Sequence, residues 1–415
     1  MPALSLAVRF PIRLRGRLRL PGSKSISNRL LVMRALAGSA TELTGLSIAQ
    51  DTELMLRALE VKSGTIHAGP AGTVMRFLLP YLCLQQADFM LEGSDRAHER
   101  PIAPLVFALQ QMGAAIEYVE KEGYPPLKIG QGLLRGGQLN MEAGMSSQFI
   151  SALLLVAPYL PVPLRLQLLG NAVSVPYVRQ TVQLMKAWGA EISWEQHVLQ
   201  VAAKPYQAPK RFAVEPDWSS AAYWLAFAAL LPETDLILDD LPLHTEQADK
   251  QAAVWMAAFG CKISEHPGGL RLRHQQETLP MPDFFDGRNC PDLIPALVVL
   301  AAVKNKPARF TGLQSLRLKE SDRLEALRIN LEAAGAILQL KADELTLISG
   351  IKTGTEVVHI RCFDDHRMAM AFSLLAAVGK RVVFDQPEVV AKSYPTFWED
   401  LASFGFSLTY RNGRE

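Results

Sequence analysis

One local pattern recurs six times along the 415 residues, in nearly constant phase. A cluster of small or polar residues opens a strongly apolar run. It stands at Ser23-Lys24-Ser25-Ile26-Ser27-Asn28-Arg29, Ala71-Gly72-Thr73-Val74-Met75-Arg76 and Met145-Ser146-Ser147-Gln148-Phe149. It returns at Asp217-Trp218-Ser219-Ser220, Cys290-Pro291-Asp292-Leu293 and Asp364-Asp365-His366-Arg367-Met368. The starts are separated by 48, 74, 72, 73 and 74 residues. From each start to a glycine followed by a short alternating segment (Gly64, Gly113, Gly189, Gly260, Gly335, Gly405) the distances are 41, 42, 44, 43, 45 and 41 residues. A glycine just past an amphipathic helix is the expected left-handed cap. Each unit therefore reads as strand, buried helix, strand, amphipathic helix, then strands. The fold class is α/β, built from a repeated unit that needs its neighbours to bury its faces. Only 7 residues separate Gly64 from the next start, against 28 to 32 later, so the first copy is truncated and lacks most of its closing strands. Six units suggest three per domain, with a boundary near 214–217, and a first strand over 5–20 that could pair with either half.

Composition narrows the function classes. At 49% hydrophobic and 20% charged the chain can bury full cores and is not disordered. A net charge of +2 argues against bulk electrostatic binding of nucleic acid. Arg9, Arg13, Arg15, Arg17 and Arg19 crowd the start, but Ile12–Leu20 alternates apolar and basic, which reads as a strand with one wet face. Pro21-Gly22-Ser23 follows where a signal peptide would place its apolar core. The longest apolar stretch, Phe149 to Val162, is broken by Pro158 and Pro161 and falls short of the ~20 residues that span a bilayer. Four scattered cysteines, at 83, 261, 290 and 362, form no CxxC and no zinc spacing, so a reduced, cytosolic protein is expected.

The chemistry gathers at the helix starts. A buried helix offers unpaired N–H groups and partial positive charge at its N-terminus, and small residues let an anion approach them. Lys24, Arg29, Arg76, Arg100, Lys319, Arg323, Arg367 and Lys392 stand at or near these starts. Converging starts would make a strongly positive cleft suited to small polyanions. Each motif alone has a duller reading. Ser146-Ser147-Gln148 could simply cap its helix. Lys319–Arg323 could be a solvated run capped by Ser321. Asp365-His366-Arg367 could be a capped start with a surface histidine, and Asp292 only a first-turn acid.

Taken together, the motifs resemble the 5-enolpyruvylshikimate-3-phosphate (EPSP) synthase family, the 3-phosphoshikimate 1-carboxyvinyltransferases. The resemblance rests on residues 20–29 (LPGSKSISNR), 71–76 (AGTVMR), 99–102 (ERPI), 146–149 (SSQF) and 174–177 (SVPY). It continues through 291–292 (PD), 317–324 (RLKESDRL), 365–370 (DHRMAM) and 391–395 (AKSYP), in the family's order over nearly the whole chain.

That resemblance implies two inverse α/β domains of three βαβαββ units each. One would hold 22–214, the other 1–20 with 217–415, with hinges near 21 and 215–216 and the site in the cleft between them. It implies that the enolpyruvyl group of phosphoenolpyruvate moves to the 5-hydroxyl of shikimate 3-phosphate with loss of phosphate, in the shikimate pathway to chorismate and aromatic amino acids. It implies no metal and no organic cofactor, and small-molecule substrates rather than a membrane or nucleic acid; a monomer is expected. By matching position, Lys24, Ser25, Arg29, Ser146, Ser147, Gln148, Ser174, Asp292, Ser315 and Lys319 would contact shikimate 3-phosphate. Lys24, Gly72, Arg100, Gln148, Arg323, Arg367 and Lys392 would contact phosphoenolpyruvate. Asp292 would be the base for the 5-hydroxyl, with Lys24, Glu320, His366 and Lys392 the candidates for handling the methylene proton.

The sequence departs from the family pattern at Pro70 (usually Asn), Phe77 (often Pro), Val175 (often Lys) and Ser315 (commonly Asn), and in its short first unit. Gly72 is unsubstituted, so the inhibitor glyphosate is expected to compete with phosphoenolpyruvate. Cations drawn from both halves should favour an open cleft that substrates close. Two rivals remain. A UDP-N-acetylglucosamine enolpyruvyl transferase would need a reactive loop cysteine, which none of the four suits. A non-catalytic anion-binding scaffold would be expected to lose Asp292, Glu320 and His366, and all three are present.

Overall fold

Each of the six motifs opens a helix. In a computed structural model describing residues 3–8, 13–142, 144, 146–170, 173–352 and 357–411, these inner helices are α1 (Lys24–Leu36), α2 (Gly72–Cys83), α3 (Ser147–Val156), α4 (Trp218–Leu230), α5 (Ile294–Val303) and α6 (His366–Phe372). Met145, from the third motif, lies outside the described residues. A 3₁₀ turn, Pro291–Leu293, leads into α5. Side chains cap three of these starts: Ser146 accepts from Gln148 N, Asp217 from Ser220 N and Asp365 from Arg367 N. All six predicted glycines take a positive φ, between +78° and +99°, a region that costs glycine nothing.

Helices apolar all round must be buried. Nine of the ten residues of α5 are buried, and eleven of the thirteen of α4. The chain divides into two compact units, Gly22–Val214, and Met1–Pro21 with Glu215–Glu415. Each has one hydrophobic core. In the first, α1, α2 and α3 pack on one another; in the second, α5 packs against α4 and α6. Sheets cover these helices, so the usual order of an open α/β sheet is inverted. No helix among the described residues is long and apolar enough to cross a membrane.

The sheets share one plan. Two parallel strands, extended by two antiparallel ones, form the pattern, and around α2, α3, α5 and α6 the parallel pair flanks the inner helix in sequence. Around α2, Gly64–His67 runs parallel to Phe89–Glu92, followed in the sheet by Leu127–Ile129 and Ile116–Tyr118. The α3, α4 and α5 sheets repeat this order. Among the described residues the α1 sheet has only Glu42–Thr44 and Arg211–Ala213, parallel, which is the truncation predicted from the short first unit.

The expectation of one strand over 5–20 is corrected. Ala3–Val8 and Leu14–Arg19 are separate strands in separate sheets, with 9–12 outside the described residues. Leu14–Arg19 runs parallel to Thr234–Asp239 and supplies the missing first strand of the α4 sheet. Ala3–Val8 lies antiparallel between Arg381–Phe384 and Phe406–Arg411, completing the α6 sheet. One straight strand cannot serve both sheets, so the segment divides.

Candidate active site

In the first unit, hydrogen bonds tie the three inner helix starts together. Asn28 Nδ2 on α1 donates to Thr73 Oγ1 on α2 at 2.9 Å, and Arg76 Nη1 on α2 donates to Gln148 Oε1 on α3 at 2.6 Å. Arg29 is 1% exposed. Its fork donates to Ser25 Oγ (2.7 Å), the Ser25 carbonyl (2.8 Å), Thr181 Oγ1 (2.7 Å), Ser151 Oγ (3.3 Å) and the Tyr177 carbonyl (3.3 Å). All these acceptors are neutral. Burial accordingly lowers its pKa to about 9, which leaves it charged at neutral pH. The Phe77 ring lies 5.0 Å from the guanidinium carbon, so this departure from the family pattern supports a site cation.

Arg100 is buried and donates to the Pro70 carbonyl at 3.2 Å. It meets Arg76 over Gly72. A Cβ there would stand 2.6 Å from Arg100 Nη2 and 2.7 Å from Arg76 Nη1. Lys24 Nζ pairs with Asp51 Oδ2 at 2.7 Å. Ser25 Oγ donates to Gln180 Oε1 at 2.9 Å. Ser146 has the dull role foreseen for it as a cap, and Ser147 behind it is buried. Ser174 precedes the helix Val175–Ala187 in left-handed backbone, φ +56°, which costs a serine of order 1 kcal/mol.

The second unit gathers Asp292, Lys319, Glu320, Arg323, Asp365 and Arg367. Arg323 Nη1 reaches Asp292 Oδ1 at 2.8 Å, Arg367 Nη2 reaches Asp292 Oδ2 at 2.8 Å, and Lys319 Nζ lies 3.4 Å from Oδ1. Burial opposes ionisation of Asp292, yet Arg367, Lys319 and Arg323 hold its carboxyl well below the usual range. Its side chain stays 22% exposed. Arg323, 1% exposed, also donates to Glu320 Oε2 (2.6 Å) and Asp365 Oδ2 (2.7 Å).

Two of the duller readings fail here. The run 319–323 is not a solvated charge run capped by Ser321. Asp322 is the cap, accepting from Leu324 N and Glu325 N, while Ser321 Oγ donates to Asp365. The fork of Arg323 needs three carboxylates, and they lie inward. Nor is His366 a surface histidine: it is 1% exposed, with Nδ1 3.8 Å from Asp365 Oδ1, because the start of α6 is itself buried. Lys392 Nζ is held by Asp364, by carboxylate and carbonyl, both at 2.6 Å. Ser315 lies half-buried on the 3₁₀ turn Gln314–Leu318 before Lys319.

Sequence reasoning missed Asp51, Gln180, Thr181 and Asp249, which meet site residues only through the fold. Of these, Asp51 had a faint signal, as a first-turn acid of the helix Gln50–Glu60. All four cysteines are buried, and burial pushes their thiols up, Cys83 to about 12.

The inner-helix architecture and paired cation clusters define an enolpyruvyl-transferase fold. EPSP synthase from Acinetobacter baumannii superposes with a TM-score of 0.78 over 99% of this chain and 100% of that one, at 22% identity. The enolpyruvyl transferase NikO from Streptomyces tendae gives 0.76 over 100% and 99%, at 16% identity. The family model described as EPSP synthase (3-phosphoshikimate 1-carboxyvinyltransferase) matches residues 8–61 and 57–401, and the chain belongs to that family. Relatives named 3-phosphoshikimate 1-carboxyvinyltransferase include one from Bacteroides fragilis, 41% identical over 96% of this chain and 97% of its own. Another, from Bordetella parapertussis, is 36% identical over 97% of each.

Proposed function

We propose that this chain transfers the enolpyruvyl group of phosphoenolpyruvate to the 5-hydroxyl of shikimate 3-phosphate, releasing phosphate. The observation that carries the reading is Asp292: a partly exposed carboxylate at a helix start, with two arginines and a lysine within 3.4 Å. A base must reach the hydroxyl, and the cations that hold it can also offset the charge of two phosphates and two carboxylates.

In this reading Ser25, Arg29, Ser146, Ser147, Ser174, Ser315 and Lys319 hold shikimate 3-phosphate, and Gly72, Arg100, Arg323, Arg367 and Lys392 hold phosphoenolpyruvate. Lys24 and Gln148 serve both. Asp292 takes the hydroxyl proton as the oxygen bonds to C2 of phosphoenolpyruvate. The methylene carbon gains a proton to become a methyl. Loss of phosphate and of one methyl proton then restores the carbon–carbon double bond. Lys24, Glu320, His366 and Lys392 remain the candidates for that methyl proton. The reaction moves protons and carbon–oxygen bonds, so no step calls for a metal or an organic cofactor. The enzyme works as a cytoplasmic monomer on small anions, and glyphosate competes with phosphoenolpyruvate above Gly72.

The test is phosphate release from phosphoenolpyruvate with shikimate 3-phosphate, run beside UDP-N-acetylglucosamine. Release with the first acceptor alone is expected. Release with the nucleotide sugar, or with neither, would overturn the reading. The burial of all four cysteines favours the first outcome, since none presents an exposed thiol.

A further inference from the structure

The second unit buries another carboxylate that the reaction above does not use. Asp249 lies in the 3₁₀ turn Ala248–Gln251 and is 4% exposed. The first turn of α4 packs against it, and Ser219 Oγ donates a short hydrogen bond to Asp249 Oδ2. Arg367 Nη2 lies 3.4 Å from that same Ser219 Oγ and 2.8 Å from Asp292 Oδ2. One guanidinium nitrogen thus stands between Asp292 and a hydroxyl anchored on a second buried acid.

Burying a carboxylate is costly unless it is paired or hydrogen-bonded. The charged and titratable groups facing Asp249 are Asp292 from the turn before α5, Asp217 from the cap of α4, and Arg367 from α6, with the Cys290 thiol nearby. Burial first, then Asp292, raises its carboxyl to about 6. It is therefore ionised at neutral pH and becomes neutral in mild acid.

We propose that Asp249 is a positioning residue for the reaction: through Ser219 it fixes Arg367 against Asp292, and its charge opposes the three cations around that carboxylate. This rests on the assignment of Asp292 as the base. A carboxylate gripped by Arg323, Arg367 and Lys319 is a weak base, and a nearby negative charge strengthens it. A hydroxyl pinned by a carboxylate also gives Arg367 a defined second contact, so the guanidinium does not swing with its substrate.

The test uses Asp249→Asn, Ser219→Ala and Ser219→Thr in the full chain, with kcat and both KM values measured from pH 5 to 9, and melting temperatures recorded alongside. Asp249→Asn should lower kcat by roughly 10-fold to 100-fold, the range for a slightly misplaced catalytic group, with both KM values within about 3-fold. The wild type should lose kcat below about pH 6, and Asp249→Asn should lack that limb. Substrate phosphates titrate nearby, so the difference between the two proteins is what is read. Ser219→Ala should lose kcat in the same direction, and Ser219→Thr should recover most of it.

Wild-type turnover with an unchanged kcat and pH profile in Asp249→Asn overturns the inference alone, as does a loss confined to KM. If Asp249→Asn fails to fold, the serine pair decides: full activity in Ser219→Ala overturns the inference. Absence of wild-type turnover overturns the functional reading, and the inference with it.

Discussion

The two units present cations in opposite ways. In the first, Arg29 and Arg100 are buried against hydroxyls and carbonyls, and among the described residues neither pairs with a carboxylate. In the second, Arg323 alone touches Asp292, Glu320 and Asp365. A buried guanidinium facing neutral acceptors keeps its attraction for an incoming anion. One already matched by acids has less to offer an anion, but its carboxylates can accept protons. In the proposed reaction the first unit would act chiefly as a receptor and the second as a reactor. Asp51, which holds Lys24, is the exception in the first.

The comparison breaks most visibly at Asp292. Asp292→Asn keeps the shape and removes the basicity, so kcat should fall by roughly 10²–10⁴ while both substrates still bind. Equilibrium binding of shikimate 3-phosphate, measured beside turnover, separates the two effects. Near-normal turnover would move the base to another acid, Glu320 first.

This asymmetry was only half legible in the sequence. The helix starts and the glycine caps follow from residue type and spacing, and most of the inner helices from strongly apolar runs. The identity of the partners does not. Nothing local in Arg29 or Arg323 says that one will meet Thr181 and the other Asp365, because those contacts span 152 and 42 residues. Pairing Arg211–Ala213 with Glu42–Thr44, or dividing 3–19 between two sheets, likewise depends on which sheet lacks a strand. Asp249 was missed because it belongs to none of the six motifs and gains its role only from Ser219 and Arg367.

Stability offers a second contrast. Arg323→Met would leave three carboxylates crowded with one cation fewer, which should cost about 3–5 kcal/mol of folding stability. Arg29→Met removes a buried charge that no carboxylate balances. The hydroxyls it leaves have other partners, since Thr181 Oγ1 also donates to Ser151 Oγ at 2.8 Å and Ser25 Oγ to Gln180. Its cost should be within ~1 kcal/mol, with the affinity for shikimate 3-phosphate lost instead. Urea denaturation of both variants at pH 7 checks this. Equal destabilisation would mean that Arg29 is structural and would dissolve the distinction between receptor and reactor.

The smallest change sharpens the receptor side. In Gly72→Ala the new methyl would stand 2.6 Å from Arg100 Nη2 and 2.7 Å from Arg76 Nη1. Both are ends of flexible side chains, and Gly72 opens a helix where alanine is preferred by up to ~1 kcal/mol, so the fold should not suffer. What moves is the pair of guanidinium heads. If they hold phosphoenolpyruvate and take no part in proton transfer, its KM should rise by about 10-fold, a loss of ~1.4 kcal/mol of binding, while kcat and the KM for shikimate 3-phosphate change little. Initial-rate kinetics with each substrate varied in turn reads all three. A rise confined to shikimate 3-phosphate would exchange the two anions' places in the first unit. A fall in kcat alone would show that the receptor also takes part in the chemistry.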